Sequence, residues 1–164
     1  ISKNIMVIQA EHLFMPYESI TRAEIAAALV KLARLYDKNA ESYFDDVKST
    51  HQLYSYIASS AEKGIVSGYG DDTFKPDNDI IYAEFTKMLG AILAYKKGYI
   101  YPDDWQTYVI FDNVEEINDW VIEYLSLCIR EGFIEASDSI TYEQDKPLTR
   151  LEAARLLYQL SLKL

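Results

Sequence analysis

The sequence is poor in the side chains that carry most enzyme chemistry. Its 164 residues include one cysteine, Cys128, and two histidines, His12 and His51. A lone cysteine excludes an intramolecular disulfide and leaves either redox compartment open. Cys128 stands among Leu125, Leu127 and Ile129, the setting of a buried thiol rather than a nucleophile. No serine has the context of a nucleophile elbow. No glycine motif cradles a phosphate, and no spacing singles out an acid/base pair of carboxylates. Asp71, Asp72, Asp77 and Asp79 cluster, but without the twelfth-position glutamate of a calcium loop; turn formation accounts for them. The chain reads as a non-enzyme with no cofactor and no metal.

Positive charge is also scarce. Sixteen Lys and Arg face twenty-six Asp and Glu, a net charge of −10. That excludes a nucleic-acid binder, which needs a basic face, and a membrane contact through a basic patch. An anionic ligand stays open if its site is local, because salt screens distant charges beyond about 8–10 Å. No apolar run approaches the roughly 18 residues of a membrane span, so no membrane insertion is expected. The chain begins at Ile1, which reads as a mature fragment with its signal peptide removed.

What is present in excess is aromatic. Aromatics make up 13% of the chain, and 14 residues are tyrosine. Tyrosine offers a flat ring with a polar handle, suited to sugars, peptides and protein surfaces. The alternative for any one tyrosine is packing at the rim of a small core.

A repeat organises the rest. Sixteen residues after each of Asn4, Gly64 and Gly132 come Ile20, Ile80 and Leu148. Each arrival opens one kind of segment: Ile20-Thr21-Arg22-Ala23-Glu24, Ile80-Ile81-Tyr82-Ala83-Glu84 and Leu148-Thr149-Arg150-Leu151-Glu152. Apolar pairs follow the anchors at Ile5-Met6, Ile65-Val66 and Phe133-Ile134, and aromatics at Phe14, Phe74 and Tyr142. Upstream, Phe44-Asp45-Asp46-Val47 matches Phe111-Asp112-Asn113-Val114.

Helical stripes fill the gaps. Leu53, Ile57 and Ala61 form one; Val121, Leu125, Cys128 and Ile129 form another. Ile25, Leu29, Leu32 and Tyr36 share a face, as do Phe85, Met88, Leu89 and Ile92, and Ala153, Leu157, Leu160 and Leu164. Each helix is expected to be apolar on one side only, so the units must pack together. Thr21 with Glu24 and Thr149 with Glu152 read as capping boxes. Ile81 deprives the middle copy of its cap hydroxyl and leaves Glu84. In Gly68-Tyr69-Gly70-Asp71-Asp72 the glycines are expected where φ is positive.

Together these motifs resemble the S-layer homology (SLH) domain, which usually occurs as three tandem repeats. The resemblance implies an all-α fold: three helix–loop–helix repeats forming a pseudo-threefold trident around a central three-helix bundle. The expected repeats are 1–36 (N-terminally incomplete), 37–95, and 96–164 with an aromatic insertion at 95–110. The insertion is read as a surface loop, either a contact site or packed on its own repeat.

The resemblance also implies non-covalent anchoring at the bacterial cell surface. The ligand would be a secondary cell-wall polysaccharide, typically pyruvylated, or another peptidoglycan-linked glycan, held in grooves between repeats. The implied groove residues are Arg22, Glu24, Gly68, Tyr69, Tyr82, Asp119, Trp120, Arg150 and Glu152. Physical chemistry points the same way for Arg22 and Arg150, which follow the cap threonine where free amides and the helix dipole would favour an anion. The alternative for each is a solvated or ion-paired arginine, and for Trp120 a packing anchor. The chain departs from the family pattern: Tyr82 replaces an arginine, Gln52 replaces a tryptophan, and the loops at Ile8–His12 and Ala136–Ile140 lack Gly-Tyr. A second reading is therefore an SLH scaffold with eroded grooves that contacts other surface proteins.

Overall fold

The structure, a computed structural model, describes residues 14–164. The expected anchor Asn4, the Ile5-Met6 pair and the loop Ile8–His12 lie outside the described residues. Five α-helices follow one another: α1 (Arg22–Ala33), α2 (Tyr54–Glu62), α3 (Tyr82–Lys97), α4 (Asp119–Arg130) and α5 (Arg150–Lys163). Short 3-10 turns occupy Trp105–Thr107 and Val114–Glu116, and no strand forms among the described residues. The fold is all-α, and each helix falls where the stripes place one.

The helix starts follow the expected chemistry. The Thr21 amide donates to Glu24 Oε2 at 3.0 Å while the Glu24 amide donates to Thr21 Oγ1 at 3.2 Å. Thr149 and Glu152 repeat this at 2.9 and 3.3 Å. At α3 only half survives: the Ile81 amide reaches Glu84 Oε2 at 3.2 Å, and isoleucine has no oxygen to return the bond.

The chain divides into two compact units that cut across the repeat boundaries: one runs to Ile80 and resumes at Pro147–Leu164, the other is Ile81–Lys146. In the first, α1 packs against α2 and α5. The one-sided stripe expected for α1 is corrected here. Ile25 to Val30 are all fully buried, because alanines at 26, 27 and 28 let neighbours approach on every side. The helix stops at Arg34, which takes the left-handed conformation (φ 55°), and Tyr36 lies beyond the end, 51% exposed. Three counterpart residues close a ring: the Ile20 amide donates to Leu148 O, Leu148 to Ile80 O, and Ile80 to Ile20 O, at 3.1, 2.9 and 3.0 Å.

In the second unit α3 packs on α4. Gly90 permits the close approach: a Cβ there would lie 2.9 Å from Tyr124 Cβ. Ala83, Phe111, Val121, Leu125 and Tyr142 are buried together beside them. The aromatic insertion is only partly a loop. Tyr95–Lys97 complete α3, Gly98 caps it at φ 65°, and Val109 is buried. It packs on its own repeat, with Tyr101 edge-on to Tyr124 at 5.0 Å and Arg130 Nη1 donating to Ile100 O at 3.0 Å.

Candidate functional site

The first turn of each Thr-Arg-x-Glu-type helix docks on the loop of another copy. In the first unit the amides of Arg22 and Ala23 donate to Asn78 O and Pro76 O, both at 3.0 Å. Those of Arg150 and Leu151 donate to Glu18 O and Pro16 O at 2.8 and 3.0 Å. In the second unit Tyr82 and Ala83 donate to Lys146 O and Gln144 O at 2.9 and 3.0 Å. This corrects the expectation of free amides awaiting an anion: loop carbonyls and cap hydroxyls already satisfy them.

The arginines extend the same docking. Arg22 Nε donates to Phe74 O at 2.8 Å and Nη2 to Ser67 O at 3.2 Å. Its guanidinium lies 4.7 Å from the Phe74 ring centre and 4.8 Å from that of Tyr69. Arg150 Nε donates to Phe14 O at 3.0 Å, and its Nη1 to Glu24 Oε1 at 2.9 Å. Arg22 is 3% exposed and Arg150 fully buried. Phe14 and Phe74 are counterpart aromatics, so both arginines grip the same point of a loop. At the third such point Tyr82, lacking a guanidinium, sets its ring edge-on to Tyr142 at 6.1 Å.

A second clasp shapes the loops from behind, and sequence reasoning assigned it no role. Asp46 Oδ1 and Oδ2 accept from the amides of Phe74 and Lys75 at 2.8 and 2.7 Å. Asn113 Oδ1 accepts from the Tyr142 amide at 2.9 Å, and its Nδ2 donates to Tyr142 O at 3.2 Å. The signal was present in the paired Phe-Asp-Asp-Val and Phe-Asp-Asn-Val segments. The glycine expectation is also corrected. Positive φ falls at Asp72 and Lys75, whereas Gly68 serves close packing, since a Cβ there would meet Thr73 O at 2.5 Å.

A cleft of about 480 Å³ opens in the first unit, lined by Thr21, Ala23, Glu24, Thr50, His51, Gln52, Leu53 and Asp77. Residues of the α1 start thus face the segment preceding α2. His51 Nδ1 accepts from the Leu53 amide at 3.1 Å, which leaves the proton on Nε2, 3.3 Å from Asp77 Oδ1. Asp77 is exposed, and Gln52 stands where the next copy has Trp120. His51 and Asp77 were missed as site residues; the signal for His51 was its place beside Gln52, just before α2.

The second unit carries the counterpart positions. Trp120 is 43% exposed, and Lys87 Nζ lies 5.7 Å from its ring centre. Asp119 is exposed beside it. Asn118 donates through its amide and Nδ2 to Gln144 Oε1 at 3.0 and 2.8 Å, fixing the entry to α4. Glu152 completes the α5 cap, and Tyr69 lies against Arg22 and Lys75, 4.1 Å from the latter's Nζ. Among the described residues no group of three or more His, Cys, Asp or Glu side chains is placed to hold a metal.

The family model described as "S-layer homology domain" matches residues 43–86. The chain is 30% identical to an S-layer protein of Bacillus licheniformis across 96% of its own length. Residues 43–86 belong to the S-layer homology domain family. It is also 30% identical, over 88% of its length, to a cellulosome-anchoring protein of Acetivibrio thermocellus, and 25% identical, over 97%, to an amylopullulanase of Thermoanaerobacterium thermosulfurigenes. The SLH chain spans 17%, 32% and 8% of these relatives' lengths, respectively.

Proposed function

We propose that this SLH chain is a non-catalytic anchoring module at the bacterial cell surface, holding a wall polysaccharide in clefts where one helix start meets another copy's loop. The cleft at Thr21, His51, Gln52 and Asp77 carries the reading. It is an open, polar trough with hydroxyl, amide, imidazole and carboxylate groups, the donor and acceptor set that sugar hydroxyls require. Trp120 supports a second contact of the same kind, its exposed indole offering a face for a pyranose ring. The names of two relatives, an S-layer protein and a cellulosome-anchoring protein, fit a surface attachment role.

The finer reading is an anionic, pyruvylated polymer. The nearness of Lys87 to Trp120 supports that reading, since an ammonium group beside an exposed indole suits a ketal carboxylate. Arg22 and Arg150 act as positioning residues that hold the loops bordering the clefts. Retention on purified cell-wall sacculi, before and after removal of the non-peptidoglycan polymer, tests the proposal. Retention that disappears with the polymer supports it; equal retention on stripped walls overturns it.

A further inference from the structure

His51 holds the start of α2 by two successive amides. Its ring Nδ1 accepts from the Leu53 amide at 3.1 Å, and its carbonyl accepts from the Tyr54 amide at 3.0 Å. Leu53 stands at the N-cap and supplies no side-chain cap of its own. On the other side of the ring, Nε2 faces Asp77 Oδ1 at 3.3 Å, which ties the segment before α2 to a loop 26 residues on. Both residues line the cleft. The second unit makes the comparable tie with neutral amides: Asn118 Nδ2 donates to Gln144 Oε1 at 2.8 Å, again across 26 residues. Amides do not titrate near neutral pH, whereas an imidazole does.

We propose that His51 is a positioning residue that makes the cleft of the first unit respond to pH, its wall held while the ring is neutral and released when the ring is protonated. The inference rests on the reading of this cleft as a glycan site. The neutral ring suits both neighbours, since Nδ1 offers a lone pair to the Leu53 amide while Nε2–H donates to Asp77. The imidazolium carries a proton on both nitrogens. Nδ1–H then points at the Leu53 N–H, two donors 3.1 Å apart, and the ring turns away from that amide. The compensating gain at Asp77 is small, because that carboxylate is 86% exposed. The other charged groups around the ring are engaged elsewhere. Glu24, on the α1 wall, accepts from the Thr21 amide and from Arg150 Nη1. Lys48, whose carbonyl accepts from the His51 amide at 2.9 Å, sends its Nζ to Asp45 O at 2.6 Å. Acid therefore loosens residues 50–53, which form one wall of the cleft.

Two measurements on the whole chain test this at about pH 7.5 and about pH 5.5, on either side of the ordinary imidazole value of about 6.5. In the ligand-free protein, NMR follows the His51 ring nitrogens and the backbone amides. The Leu53 amide titrates with the ring, and it stays still in His51→Gln, whose side-chain oxygen can serve Leu53 at either pH. On purified cell-wall sacculi, retention of the unaltered protein weakens about fivefold at the lower pH, the size of one lost neutral hydrogen bond. Retention of His51→Gln does not change with pH. His12 is present in both proteins, so its titration is common to the two. A Leu53 amide indifferent to the titration of the ring overturns the proposal, as does retention that falls equally in both proteins or rises in acid. If neither protein is retained at either pH, the glycan reading fails, and the Leu53 titration alone decides whether His51 controls the wall.

Discussion

Arg150 Nη1 donates to Glu24 Oε1 across 2.9 Å, with the two side chains 1% and 7% exposed. Glu24 uses its other oxygen to close the cap of α1. One carboxylate thus joins a local helix signal to a contact 126 residues away. Glu24→Ala should cost about 3–5 kcal/mol, since it strands a buried guanidinium and opens a cap. Glu24→Leu combined with Arg150→Met should cost clearly less than the sum of the single changes. Urea denaturation of the four proteins checks this; strict additivity would show that the pair is not coupled.

Asp46 holds two loop amides, and Asn113 holds one amide and one carbonyl. Asp46→Ala should destabilise by about 1.5–3 kcal/mol, the range for hydrogen bonds to a charged group. Asn113→Ala should cost less, because its partners meet a neutral amide. Denaturation midpoints order the two, and a larger loss for Asn113→Ala would contradict the clasp as described.

These clasps mark the limit of what the sequence made legible. Helix positions were readable because apolar spacing and the Thr-x-x-Glu pairs are local signals. The roles of Asp46 and Arg22 were not, because each is defined by a carbonyl or amide 28 to 52 residues away. Motif resemblance placed Arg22 and Arg150 at a groove. Burial and hydrogen bonding in the fold show that their guanidinium groups are enclosed and hold loop backbone. The cleft at His51 and Asp77 escaped for a similar reason: neither residue belongs to a repeated motif, and only folding brings them beside Thr21.

Gly90→Ala should destabilise by roughly 1–3 kcal/mol, because the added methyl meets Tyr124 Cβ and Cα at 2.9 and 3.0 Å. The Tyr124→Gly change in the same protein removes that Cβ and should relieve part of the clash while leaving its own cavity. Thermal melts of the double-mutant cycle should give a coupling that favours the double mutant.

Alkaline pH should weaken the fold. Burial raises the Cys128 thiol above its ordinary 9.0 and the Tyr142 phenol above its ordinary 10.0. Each group stays neutral in the folded state where the unfolded chain has begun to ionise. Their contribution is therefore complete below the unfolded pKa and is lost as pH rises toward the folded one. Stability should fall above about pH 9, by up to about 1.4 kcal/mol per pH unit for each group. Cys128→Ala should make that fall shallower, whatever its effect on absolute stability. Native Cys128 should also resist iodoacetamide at pH 8 until the protein unfolds.

The most direct measurement is a protein-observed NMR titration with the purified wall polysaccharide. The account predicts saturable shifts at the amides of Thr21, Thr50, His51, Gln52 and Asp77 and at the Trp120 indole. Shifts confined to other surfaces, such as the loop at Ser137–Thr141, or no shifts at all, would contradict it.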